Sequence, residues 1–329
     1  MRWLILLALM PVAAWSQHIL YSCMSVTREY VVGAKLVPSG LFHLLPNGGW
    51  RHAGFNHPFV FAVDYDATDP ATLYLAAGNG LIRASSHGEH WKILTGSDVT
   101  EIRDVAVDRN APGTLYFAYS HGIRVTHDGG ATWQELAGGL RRKYMETIRV
   151  DRRKAGTLLA GGENGILASG DGGATWKLAG AAGVQILHIE QSPHDACSWL
   201  AGTQEGGLFA SSDCGRTFEN AGRTGVGTNV YDVAFDPTTP ARVALATWGT
   251  GVLVTEDGGK TWNRRNSGLP RPDVWSVAFD PDKPGRLYAS VHEEAVYVSE
   301  NAGLTWLKSG LEGSAAYRMK FVPQKGLDK

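Results

Sequence analysis

Thr126-His127-Asp128-Gly129-Gly130-Ala131-Thr132-Trp133 decides the reading of this chain. It returns as Ser169-Gly170-Asp171-Gly172-Gly173-Ala174-Thr175-Trp176 and as Thr255-Glu256-Asp257-Gly258-Gly259-Lys260-Thr261-Trp262. Two copies drift: Ser211-Ser212-Asp213-Cys214-Gly215-Arg216-Thr217-Phe218 closes in Phe, and Ser299-Glu300-Asn301-Ala302-Gly303-Leu304-Thr305-Trp306 has Asn for Asp. Ser85-Ser86-His87-Gly88-Glu89-His90-Trp91 is a residue short, and Asn47-Gly48-Gly49-Trp50 keeps only the turn and the indole. The closing aromatics Trp50, Trp91, Trp133, Trp176, Phe218, Trp262 and Trp306 recur at spacings of 41 to 44 residues.

Around each turn lie short alternating strands with no helix-period segment. A repeat opens on an inner strand such as Asp232–Asp236 or Ser276–Asp280. A Pro-rich turn (Pro237 to Pro240, Pro281 to Pro284), a second strand such as Thr114–Ala118 and a third such as Gly122–Thr126 follow. A period of about 40 to 50 residues in an all-β chain predicts a β-propeller with one blade per repeat, here a seven-bladed ring of four-stranded antiparallel blades. The ends complement one another: Tyr317–Pro323 reads as an inner strand with no blade after it, and His18–Ser22 as a second strand with no inner strand before it. Blade one is therefore expected to be built from both termini, which removes the open edges.

The repeated turn is expected to be structural. An Asp carboxylate accepts backbone N–H bonds from residues two positions on, and Gly takes positive φ at little cost. The indole is expected to fill the wedge toward the neighbouring blade. Asp128, Asp171, Asp213, Asp257 and Asn301 are thus assigned to the scaffold.

Composition sets further bounds. A formal net charge of -1 with 19% charged residues provides no field for nucleic acid or an anionic membrane surface. Residues 1–16 read as a secretory signal with Arg2, an apolar run from Leu4 to Met10 and small residues before Gln17, the run being too short to span a bilayer. The remaining 17–329 are expected to form a single propeller, exported, monomeric and without a membrane span. Cys23 follows Leu20-Tyr21-Ser22, a poor lipoprotein signal. Cys197 and Cys214 are placed in two turns on the same face of blade five, where a disulfide and two unpaired small residues are both open readings. No cofactor motif is present, and neither His52 with His57 nor His87 with His90 has further ligands at metal spacing.

The face opposite the repeated turns is where chemistry is expected. With Trp275 at the head of an inner strand as reference, the counterparts are Phe61, Arg103, Glu146, Gln185, Tyr231 and Tyr317, for which a stacking platform for a sugar or peptide and strand-edge packing are both open readings. One position on stand Asp104, Thr147, Asp232, Ser276 and Arg318. Asp104 and Asp232 are three blades apart, and two readings are open: an acid/base pair, which needs roughly 5 to 10 Å between carboxyls, and ordinary channel-lining or strand-end hydrogen-bonding groups. The strand 2–3 loops add Glu163, Asn164, Gln204, Glu205, Trp248 and His292, and blade one adds the long segment from Thr27 to Gly40 with Arg28, Glu29, Tyr30 and Lys35. Arg141-Arg142-Lys143-Tyr144 is a candidate patch for an acidic partner.

The S/T-x-D-x-G-x-T-W phrase resembles the Asp-box, or BNR, repeat of sialidases, xyloglucan-cleaving glycoside hydrolases, sortilin-type receptors and Ycf48-type photosystem II assembly factors. The chain lacks the Arg-Ile-Pro motif and six-blade count that a sialidase implies. Trp199 to Phe209 is similar to a xyloglucanase segment in which an Asp precedes Gly-Gly, at the place Glu205 holds here. That family draws one acid from each of two propellers, and the Ycf48-type factors imply a basic surface. The resemblance implies either a non-catalytic binding or assembly module for a polysaccharide or protein partner, or a glycoside hydrolase using carboxylates among Asp104, Glu146, Glu205 and Asp232. For the binding reading the ligand residues are Arg103, Tyr231, Trp248, Trp275, His292 and Tyr317.

Overall fold

The computed structural model describes residues 17–28, 37–136, 143–221 and 229–324. The expected leader, Glu29, Tyr30, Lys35, Arg141 and Arg142 lie outside them. Seven four-stranded antiparallel sheets form the ring, and a single 3-10 turn, Ser86–Gly88, is the one helical piece among the described residues. Blade one has the order Ser314–Pro323, His18–Val26, Gly40–Leu44, Trp50–Ala53, so the last strand of the chain pairs with the first. Pairing runs from His18↔Pro323 to Val26↔Ser314, the closure the termini imply. The other six blades are consecutive meanders with inner strands Val60–Tyr65, Ile102–Val107, Met145–Val150, Gln185–Gln191, Val230–Phe235 and Val274–Phe279.

Second strands are mostly apolar and buried because each is covered on both faces by neighbouring blades. Leu73–Ala77, Leu115–Tyr119, Val243–Thr247 and Leu287–Val291 are buried at every position. The core is therefore a set of wedges between blades. In one of them Tyr21, Cys23 and Leu41 of blade one meet Val60, Val63, Leu73 and Leu75 of blade two. Each fully buried Leu or Val there contributes about 1.5–3 kcal/mol.

The repeated turn is held by its own side chains. Asp128 Oδ1 accepts the Thr126 hydroxyl at 2.6 Å and the Thr132 N–H at 2.9 Å, while its Oδ2 accepts the Thr132 hydroxyl at 2.7 Å. The reach is four residues rather than the two expected, and the two-residue bond belongs instead to Thr126 Oγ1, which also accepts from Gly130 N–H at 3.0 Å. Successive glycines at positive φ curl the chain back far enough to close this longer loop. Asp171, Asp213 and Asp257 repeat the pattern. Asn301 keeps it with its amide, Oδ1 accepting Thr305 N–H and Nδ2 donating to the Thr305 hydroxyl. The final glycine also meets the preceding blade: a Cβ at Gly130 (φ +93°) would lie 2.6 Å from Leu94, and one at Gly173 (φ +91°) 2.4 Å from Leu136.

The indoles then tie blade to blade. Trp133 Nε1 donates to the Leu94 carbonyl at 3.0 Å, Trp306 Nε1 to the Arg265 carbonyl at 2.8 Å and Trp50 Nε1 to the Ser309 hydroxyl at 3.2 Å, each in the preceding blade. Trp91 and Trp176 instead bond the carbonyls of Gly88 and Gly173 within their own turns. In blade five Cys197 and Cys214 form a disulfide between the first and third turns, and Cys23 is a buried free thiol.

Hydrogen bonds from Thr175, Thr217 and Thr261 hold Asp171, Asp213 and Asp257 down at about 2. A folded-state pKa below the unfolded value near 3.9 adds stability that is complete above that value and is lost as pH falls toward the folded pKa. Replacing the three by Asn, on the precedent of Asn301, should therefore flatten the loss of stability between about pH 4 and pH 2. Asp257→Ala, which removes the acceptors, should lower Tm at neutral pH where Asp257→Asn largely preserves it. Urea and thermal melts across this pH range check both.

Candidate functional site

Every inner strand carries the same irregularity near its head. The register slips by one between Val60 and Ala62, Ile102 and Asp104, Met145 and Thr147, Ile186 and His188, Val230 and Asp232, Val274 and Ser276, and between Ala316 and Arg318 opposite Met24 and Cys23. The unpaired residue of such a bulge turns its side chain away from the ladder. The seven are Phe61, Arg103, Glu146, Leu187, Tyr231, Trp275 and Tyr317, all half-buried. Blade five thus contributes Leu187 where Gln185 was expected, because the bulge there falls two residues later than the strand's first residue.

Six of these seven side chains form one arc around the mouth on the strand 2–3 loop face. Glu146 receives the Arg103 guanidinium on both oxygens at 2.8 to 3.2 Å, and that guanidinium sits 4.0 Å above the Phe61 ring. Phe61 lies 5.3 Å from Tyr317, Tyr317 5.7 Å from Trp275, and Trp275 4.5 Å from Tyr231 in edge contact. The strand 2–3 loops add Trp248, 5.9 Å from Tyr231, and His292, 5.1 Å from Trp248. Trp275 Nε1 donates to His292 Nδ1 at 2.7 Å, which leaves the neutral ring's proton on Nε2, facing outward from that bond. Rings this close leave no gap between them, so the arc offers a surface to stack on rather than a cage. Phe59, 53% exposed, stacks on Phe61 at 6.2 Å and extends the surface outward. All six expected ligand residues, Arg103, Tyr231, Trp248, Trp275, His292 and Tyr317, are brought to this mouth.

The four expected acids are dispersed. Asp104 and Asp232 are each 2% exposed and serve as staples between inner strands. Asp104 Oδ2 accepts the Thr147 hydroxyl at 2.8 Å and the Ile148 N–H at 3.1 Å across blades three and four, and Asp232 Oδ2 accepts Val277 N–H at 3.2 Å across blades six and seven. Asp64 does the same toward Val107 N–H at 2.8 Å. Glu146 is clamped to Arg103, and Glu205 stands exposed in a left-handed turn (φ 63°) on the blade-five loop, its N–H on Asn229 Oδ1 at 2.9 Å. Of the other loop residues, Glu163 and Asn164 are exposed, and Arg28 approaches Glu294 at 3.6 Å.

Between the two mouths the axis is charged. A cavity of 460 Å³ opening toward the repeated turns is lined by Asp64, Arg149, His188, Glu190, Asp232 and Arg318 among others. Arg149 pairs with Asp104 and donates to His188 Nδ1 at 3.1 Å; His188 Nε2 lies 3.3 Å from Asp232 and 3.5 Å from Glu190. Arg318 pairs with Asp232, and Lys320 with Asp64 at 2.7 Å. Burial lowers the pKa of His188, reinforced by Arg318, against the opposing pull of Asp232. Burial pushes the Asp64 carboxyl up, but Lys320 and Arg109 outweigh it and hold it below the ordinary range. Glu190 is brought well below its usual value in the same way, by His188, Arg149 and Arg152 against its burial. Asp64, Arg149, His188, Glu190 and Lys320 were not among the expected residues. The period-two pairs Thr147/Arg149, His188/Glu190 and Arg318/Lys320 carry the signal, since alternate residues of an inner strand face the axis.

Among the described residues no cluster of three or more His, Cys, Asp or Glu side chains is placed to hold a metal, and no helix is long and apolar enough to cross a membrane. The fold places the chain among β-propellers. No family model and no curated protein matches it. Among solved structures it is similar to the GH74 xyloglucanase from Xanthomonas campestris, with TM-score 0.64 and 20% identity over 76% of this chain and 45% of that one. It is also similar to YCF48 bound to D1 peptide, with TM-score 0.59 and 15% identity over 82% and 93% of the two chains. A third is the extracellular domain of the one component system BT4673 from B. thetaiotaomicron, with TM-score 0.63 and 12% identity over 86% and 39%. At these identities the likeness is one of fold. The chain spans less than half the length of the xyloglucanase and of the BT4673 domain.

If Asp232 is a staple, removing it leaves Arg318 and His188 without their shared carboxylate inside the ring. Asp232→Ala is expected to cost about 3–5 kcal/mol of stability, the penalty of breaking a buried pair from one side. Urea denaturation followed by tryptophan fluorescence measures it, and a loss below about 1 kcal/mol would remove the staple role.

Proposed function

We propose that this chain is an exported, non-catalytic binding or assembly module whose Asp-box turns build a rigid ring and whose loop-face mouth holds a glycan, peptide or protein partner. The observation that carries this reading is the half-buried arc Phe61–Tyr317–Trp275–Tyr231 with Trp248 and His292, set on bulges of rigid strands. Aromatic faces with one outward ring N–H and a fixed Arg103–Glu146 pair beside them suit stacking on a sugar ring or an apolar side chain, with polar groups to orient it. The acids support the same conclusion. Asp104 and Asp232 are consumed by staples, and Glu146 by Arg103, whereas a glycosidase pair must flank an open cleft. Similarity of fold to YCF48 bound to D1 peptide is compatible with a peptide partner, and similarity to the xyloglucanase with a polysaccharide. Residues 17–329 are read as one monomeric unit released after cleavage near Ser16, needing no cofactor.

The test is retention of purified 17–329 on β-glucans, xyloglucan, sialosides and peptide arrays, with reducing-end release read in parallel. Trp275→Ala and Tyr231→Ala are expected each to weaken retention about tenfold or more, as central aromatic anchors do. Unchanged affinity in both variants would remove the mouth as the binding site. Release of reducing ends that disappears in Glu205→Gln would instead establish the glycoside hydrolase reading; Glu205 is the informative position because its exposure separates activity from folding.

A further inference from the structure

Blade five breaks the repeat at two positions. Its turn closes in Phe218 where the other closing positions are Trp, and its second strand begins with Trp199 where Leu73, Leu115, Leu158, Val243 and Leu287 stand in the same register. Trp199 is 1% exposed and lines a crevice of 910 Å³ between blades four and five, on the turn face and so on the opposite side of the ring from the aromatic mouth.

Two residues of its lining, Trp199 and Thr157, each carry a buried polar atom without a hydrogen-bond partner, Nε1 and Oγ1. A buried donor or hydroxyl left without a partner is destabilising and calls for an explanation in a folded protein. The walls are apolar, with buried Leu159 and with Leu178, 55% exposed. The rim is cationic: Arg153, Lys154, Lys177 and Arg216 are all exposed, and none forms an ion pair among the described residues. Two carboxylates also line it, Asp151 and Asp171, each held by neutral donors. Asp171 is filled by Ser169 and Thr175, and Asp151 accepts Arg153 N–H at 2.8 Å. The Cys197–Cys214 disulfide fixes the blade-five wall. The volume falls in the range of sites for small organic ligands.

We propose that this crevice binds an amphiphilic organic anion, its apolar body against Leu159, Leu178 and Trp199 and its anionic head among Lys177, Arg216, Arg153 and Lys154. The inference is independent of the function assigned to the opposite mouth.

The indole ¹H–¹⁵N resonance of Trp199, assigned by its absence in Trp199→Phe, reports on the site directly. Titration of the full chain with sodium decanoate should shift that resonance saturably, decanol at equal concentration should shift it far less, and the double variant Lys177→Ala/Arg216→Ala should weaken decanoate about tenfold. Both cations are exposed, and the bond lost with them, Arg216 Nε to the Asp213 carbonyl at 2.8 Å, lies at the surface, so the variant's thermal melt should stay close to the parent's. Trp275→Ala, on the other face, should leave the titration unchanged. An unmoved Trp199 resonance, an equal response to decanol, or decanoate affinity that survives the double variant would each overturn the proposal.

Discussion

A ring of sheets stands or falls on its last seam. Each blade of this protein buries both faces against neighbours, so a missing neighbour would expose two apolar surfaces and a row of unpaired backbone groups. The pairing of Ser314–Pro323 with His18–Val26 supplies that seam, and the wedge it completes holds Tyr21, Cys23 and Leu41 against blade two. The regularity of the other blades, the convergence of their strand heads and the position of both mouths all follow from closure.

Closure also divides the labour of polar groups. Inner strands crowd around one axis, where a charge is far from bulk water and must find its partner locally. Asp64, Asp104 and Asp232 do so by taking a backbone N–H of the next blade along with a cation from the axis. The same carboxylates that resemble catalytic candidates when read along one strand are thereby the fasteners between strands. Side chains on the bulges escape this constraint, since the slipped register turns them to the mouth, and there the ring presents aromatic faces.

Much of this was legible in the residues. The repeated D-x-G turns and the complementary termini carry blade count, strand number and closure, because turn chemistry is local and a period survives drift in any single copy. Placement of Arg103, Tyr231, Trp275 and Tyr317 at one mouth was legible for the same reason. Gln185 is displaced from the arc because the bulge of blade five falls at Leu187, two residues beyond it, and a bulge leaves no mark in the sequence. The turn geometry was legible in kind but not in reach: that Asp128 spans to Thr132 depends on how far two left-handed glycines bend the chain.

The amino-acid sequence by itself determined an all-β chain of seven repeats whose ends must meet, since alternation, turn residues and period are properties of neighbours along the chain. The tertiary structure alone decided which polar groups face one another. Arg149, His188 and Asp232 come from three different blades, as do the orphan atoms and rim cations of the crevice from two. Contacts of that kind depend on the tilt and twist by which blades pack around an axis, a quantity set by the whole ring at once and carried by no single segment.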